Sequence, residues 1–215
     1  NAMDSIVFTS NESNKKKPFW GNIDFVEPGF SSSMSYCRIE CSGKNGKSAI
    51  NLTGENISVP FFHSLSAKNN SQNGIGIPGG EYNTDVNIPK AGIPFIITES
   101  IEIAKGYSFV INAGAILKAG ADCNITIHGT FISEGDLSNE NIITSLADDE
   151  YGGDTDGNGS SSGSQMPWGG IYFSRYCNDI SNIEFTTFRF GGRSSYTQNA
   201  VLYFESCSLK MEYST

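Results

Sequence analysis

A block of this chain recurs after about 148 residues, and that recurrence constrains the fold more than any other feature. Ile6-Val-Phe-Thr-Ser10 leads to Pro18-Phe-Trp-Gly-Asn-Ile-Asp-Phe25, and Ile142-Ile-Thr-Ser145 leads to Pro167-Trp-Gly-Gly-Ile-Tyr-Phe173. Trp20 and Trp168 mark the same place in each copy, 148 residues apart. Met34-Ser-Tyr-Cys-Arg-Ile-Glu-Cys-Ser-Gly43 aligns with Ile183-Glu-Phe-Thr-Thr-Phe-Arg-Phe-Gly-Gly192, and Ala49-Ile50 with Ala200-Val201. Apolar residues at alternate positions, each run closed by a small or Gly-rich corner, predict short strands that turn corners. A long block repeated inside one domain-sized chain predicts a solenoid rather than a closed globule.

Short strand signals continue almost throughout, including Phe95 to Thr98, Ser108 to Ile111, Asn124 to Ile127 and Gly170 to Phe173. A weak helical period is confined to Leu137–Ile142. A β-sandwich would need reversing hairpin turns such as Asn-Gly at regular intervals. The corners here, Lys105-Gly-Tyr, Asn112-Ala-Gly114 and His128-Gly129, bend the chain without reversing it. Stacked corners bury a column of Ile, Val and Phe. The expected fold is all-β: a single-stranded, right-handed parallel β-helix of roughly eight or nine coils, with about 20–25 residues per coil. It forms one continuous domain over 1–215, with repeats at 6–77 and 142–207, linking coils at 86–135 and a loop insert at 148–167. Asn1-Ala2 before Met3 reads as the scar of a cleaved tag.

The insert carries the chemistry. Asp154-Thr-Asp156-Gly-Asn158-Gly159-Ser160 matches the first half of an EF-hand-type loop. Oxygen donors at positions 1, 3 and 5, Gly at 6 and a carbonyl at 7 converge on a hard cation. Position 12 is Gln165 rather than a bidentate Glu, and Asp148, Asp149 or Glu150 lie close enough to replace it. The clustered acids have no basic residue among them and repel one another without a counter-ion. Ca²⁺ is therefore the expected ligand of Asp148, Asp149, Asp154, Asp156, Asn158 and Ser160. The first copy has only Asn11 to Lys17 at this place and lacks such a site.

Trp168, with Tyr151 and Tyr172 nearby, is a weaker candidate: an aromatic platform for a sugar ring, set against a packing role that recurrence in both copies favours. No acid pair or Ser, Cys and His set suggests catalysis. Arg189 and Arg193 could face the insert, and His128 reads as a turn residue. The net charge of −9 disfavours nucleic acid and anionic membranes and suits cations or neutral glycans. No apolar stretch reaches the roughly 18 residues of a membrane span. The five cysteines, Cys37, Cys41, Cys123, Cys177 and Cys207, have no metal-ligand spacing and are expected as free, mostly buried thiols.

The run from Ile88 to Gly135, flowing into Ile142-Ile-Thr-Ser145, the Asp/Gly-rich insert and Trp168-Gly-Gly-Ile171, resembles the repeat unit of secreted or surface-anchored bacterial right-handed parallel β-helix proteins. The likeness covers about residues 86–204, and 6–77 at lower fidelity. It implies an extracellular or cell-surface bacterial scaffold for adhesion, binding a glycan or protein on its outer face. The same scaffold serves polysaccharide lyases and hydrolases, and repeats that act as spacers, so these alternatives stay open.

Overall fold

A computed structural model of the protein describes residues 5–13, 18–29, 31–178 and 180–215. Asn1 and Ala2, and residues 14–17 of the first copy's short link, lie outside them. In chain order the strands are β1 (Ile6–Phe8), β2 (Ile23–Val26), β3 (Ser33–Ser35), β4 (Cys37–Glu40), β5 (Ser48–Thr53), β6 (Phe61–His63), β7 (Ser66–Lys68) and β8 (Gln72–Ile77). There follow β9 (Gly80–Tyr82), β10 (Val86–Ile88), β11 (Phe95–Ile97), β12 (Ile101–Ile103), β13 (Ser108–Asn112), β14 (Ile116–Ala119) and β15 (Asn124–Ile127). The last are β16 (Thr130–Glu134), β17 (Asn141–Ser145), β18 (Gly170–Phe173), β19 (Asn182–Glu184), β20 (Thr186–Phe188), β21 (Leu202–Phe204) and β22 (Lys210–Glu212).

Every pairing among these strands is parallel and joins a strand to the third one after it. The chain thus visits three sheet faces in rotation. The longest sheet runs β2-β5-β8-β11-β14-β17-β20; others are β9-β12-β15-β18-β21 and β10-β13-β16-β19-β22, with shorter ones of β1-β4-β7 and β3-β6. The protein is all-β, with parallel strands in stacked sheets. In the longest sheet Ile75 pairs with Phe95, 20 residues on, and Phe95 with Leu117, 22 on. The step from Ile143 to Phe188 is 45 residues, because the insert lies within it.

Many of the corners that bend without reversing contain a residue of left-handed backbone. Gly supplies many of them, but Tyr36 (φ 52°) makes the corner between β3 and β4, and Phe185 (φ 44°) the one between β19 and β20. Bulky residues rarely adopt this left-handed region, so packing around the corner must hold them there. The alternation of each strand then points one side chain set inward. Phe95, Leu117 and Ile143 stack in register with no exposed surface, as do Ile103, Ile127 and Phe173 on a second face. Each such side chain contributes about 1.5–3 kcal/mol by burial. A polar rung interrupts the column: buried Asn141 donates to the Ile111 carbonyl (3.0 Å) and Ser133 Oγ (3.1 Å) and accepts from the Ala115 amide (3.3 Å). It is satisfied, and so tolerable inside.

Two expectations are corrected. Cys177 and Cys207 form a disulfide, with Cα atoms 5.7 Å apart, while Cys37, Cys41 and Cys123 are free and buried. Cys177 follows β18 and Cys207 follows β21, two directly paired strands, so neighbouring corners bring them to bridging distance. The weak helical run at 137–142 is a turn, closed by the Asp136–Asn139 bridge, that leads into β17. Among the described residues no helix is long and apolar enough to cross a membrane.

Candidate functional site

The insert between β17 and β18 lies back across the outer face of the longest sheet. Lys118, whose side chain leaves β14 on that face, donates from Nζ to the carbonyls of Asp148 (2.7 Å) and Gly153 (2.9 Å). In β8, Asn73 donates from its amide to the Thr155 carbonyl (2.7 Å) and from Nδ2 to the Asp154 carbonyl (2.7 Å). Glycines allow this close approach. A Cβ on Gly152 (φ 75°) would stand 2.4 Å from Pro94 Cγ, and one on Gly157 (φ 70°) 2.9 Å from the Ser71 carbonyl. The segment is therefore a strap that reaches from β17 back to β8.

The strap brings Asp149, Asp154 and Asp156 together, one oxygen from each within 4.8 Å of the others. Asp149 Oδ2 accepts from the Ser161 amide (2.6 Å), whereas its Oδ1 is buried with no partner among the described residues. Asp154 accepts from the Gly159 amide (3.2 Å), and Asp156 from the amide (3.3 Å) and Nδ2 (2.7 Å) of Asn158. Burial, with Asp154 and Asp149 beside it, holds the Asp156 carboxyl above the usual carboxylate range. Three carboxylates crowded in this way, one with an unused buried oxygen, fit a hard divalent cation.

The other expected ligands are placed differently. Asp148 is buried and turned away. Its carboxylate accepts from Thr144 Oγ1 (2.6 Å) and lies 3.5 Å from Arg189 Nε. Asn158 serves Asp156 through its nitrogen, and Ser160 is exposed. Gln165 sits in a short 3-10 turn, Gly163–Gln165. Two cations meet the insert here: Arg189, expected to face it, and Lys118, which sequence spacing does not bring to it. Burial pushes the Lys118 ammonium down to about 8, against the opposing pull of Asp148, Asp149, Asp156 and Asp154. Arg189 bonds Glu150 (2.5 Å), and its guanidinium lies over the rings of Tyr151 (4.9 Å) and Phe190 (5.0 Å). Arg193 is exposed. Lys118 follows Ile116-Leu117 in the sequence and reads as an ordinary exposed strand lysine; only the register Ile96–Lys118–Thr144 puts it under the strap.

Neither a protein-family model, nor a curated protein, nor a solved structure matches the chain. Geometry alone must carry the assignment.

The aromatic candidates do not converge. Trp168 has no exposed surface, and its indole donates to the Arg189 carbonyl (2.8 Å). Trp20 makes the same bond to the Glu40 carbonyl (2.9 Å), so both indoles pin the corner of the next level. Tyr151 lies under Arg189 on the insert side. Tyr172 belongs to another sheet, where it stacks on Tyr203 (5.6 Å) and meets Tyr196 (4.9 Å). Its hydroxyl bonds Glu205, which also takes Arg175 and pushes the phenol up to about 12.

A side-chain chain absent from the sequence expectations also emerges. His128 sits between Glu102 (Nε2 to Oε1, 2.8 Å) and Ser174 (Nδ1 to Oγ, 2.7 Å). Its connectivity is that of a catalytic relay. Yet Ser174 is only 3 % exposed, and its Oγ also accepts the Tyr176 amide (3.2 Å). The chain ties three successive levels together and presents no open nucleophile.

Proposed function

We propose that this chain is a non-catalytic scaffold of an exported bacterial protein, a right-handed parallel β-helix. A calcium ion orders its strap, and its outer face binds a glycan or protein. The observation that carries this reading is the meeting of Asp149, Asp154 and Asp156 on a strap pinned across the sheet. A right-handed winding is what the twist of L-residue strands favours in parallel crossovers. The Cys177–Cys207 disulfide is compatible with an extracellular location. The ion supports structure rather than reaction, because the basic groups nearest it are already committed: Lys118 to two carbonyls, Arg189 to Glu150 and two rings.

Calcium titration by calorimetry tests the ion. The wild type gives saturable heat, and Asp154→Ala/Asp156→Ala gives none. At calcium 100-fold above Kd, stability rises by about 2.7 kcal/mol, a shift in Tm of about 5–10 °C for a chain of this size. Equal, negligible heats from both proteins would remove the ion from the proposal.

One observation favours a second reading, polysaccharide lyase or hydrolase. Acids, Arg189 and a lysine of lowered pKa share one flank. Lys118 has no exposed surface, which ranks this reading second. Incubation with acidic and neutral polysaccharides, with and without EDTA, separates the two. Calcium-dependent release of unsaturated products would reverse the order.

A further inference from the structure

Beside the strap, the outer face of β5, β8 and β11 carries a cleft of about 510 Å³ lined in part by Ser48, Asn51, Gln72, Gly76, Ile96 and Thr98. Register explains its shape. Asn51, Gly76 and Ile96 are paired neighbours down one outward column, and Gly76 contributes no side chain. A Cβ there would come within 2.8 Å of Asn51 Oδ1, so glycine keeps the floor open. Ser48 Oγ donates to Gln72 Oε1 (2.6 Å) and Asn51 Nδ2 to the Ser48 carbonyl (3.1 Å). Those bonds fix both amides while leaving Gln72 Nε2, a donor, and Asn51 Oδ1, an acceptor, without a partner among the described residues. Fixed amides with one free donor and one free acceptor, beside the bare backbone of Gly76 and the half-buried ring of Pro78, match the alternating hydroxyl and C–H surface of a sugar.

Charge selects among sugars. The cleft holds one Lys47 and one Glu99, which offset each other, on a chain of net charge −9 that repels polyanions. Three paired strands form the floor, with a spacing of about 4.8 Å that is close to the length of one pyranose unit. We infer that this cleft binds a neutral oligosaccharide, about three rings lying across β5, β8 and β11. This rests on the proposed scaffold function and names the ligand class that its outer face takes.

Calorimetry with hexasaccharides of β-1,4-linked glucose, xylose and mannose, and with hexagalacturonate, tests it. At least one neutral hexasaccharide binds the wild type. Asn51→Ala/Gln72→Ala weakens it at least tenfold, and Thr98→Trp, at an exposed rim position, abolishes it without changing Tm or the calcium heat. Unchanged affinity in both variants, a preference for hexagalacturonate, or no binding by any neutral hexasaccharide would overturn the inference. Sugar binding that persists in Asp154→Ala/Asp156→Ala keeps the cleft separate from the ion. Sugar cleavage by the wild type would instead count against the scaffold reading.

Discussion

The first and second copies of the recurring block make the same corner with the same bonds, but in different surroundings. Trp20 donates from its amide to the Cys41 carbonyl, and Trp168 to that of Phe190; Gly43 and Gly192 turn with φ of 84° and 89°. What differs is the cover. The second copy carries a strap and buries its tryptophan completely, whereas Trp20 is only partly buried. Local sequence therefore fixes the corner, while the depth of the indole differs between the copies: exposed Ile6 and Val26 lie near Trp20 in the sequence, and Trp168 sits in the closed core.

The sharpest way to break this comparison is to truncate both indoles. Trp168→Ala is expected to cost about 4 kcal/mol and Trp20→Ala about half as much, read as denaturant midpoints. Equal costs would mean that the deeper burial of Trp168 adds nothing to stability. Lys118→Met comes next, at about 2 kcal/mol in EDTA, because two strap carbonyls lose their donor. The same change removes a positive charge beside the acids, so calcium affinity should rise about tenfold. A fall in both quantities would show that the strap itself had come away.

Acidity gives the smallest and most specific effect. The Asp156 carboxyl stands above its unfolded value, so the folded protein holds its proton more tightly. Without metal, stability gains as pH falls through that raised pKa and levels off below the unfolded value. Calcium needs the carboxylate ionised, so affinity should fall over the same window by about tenfold per pH unit for each proton displaced. Titrations on wild type and Asp156→Asn check this; an identical slope in the variant would assign the proton elsewhere.

Much of the fold was readable because it is written locally. Alternation in Ile101-Glu-Ile103 or Ile125-Thr-Ile127 marks strands directly, and Asp154-x-Asp156 lies within one loop. What stayed hidden depends on register. Neighbouring Asp148 and Asp149 look interchangeable in the sequence, yet one turns to Thr144 and Arg189 and the other to the acidic trio. Lys118 meets the strap 30 residues downstream, and Cys177 meets Cys207 at the same separation, because that distance is close to one step between paired strands, 26 residues from Lys118 to Thr144 and 31 from Phe173 to Phe204. Left-handed Tyr36 and Phe185 are corners that residue preference would never choose.

The strand count has one last geometric result. The copies are 16 strands apart, β2 against β18, in a stack that uses strands three at a time. Sixteen is one more than a multiple of three, so the second tryptophan corner faces a different compass direction from the first. Any array grown by duplicating this unit would set its loops like treads on a spiral stair, a third of a revolution apart, and could be approached from every side.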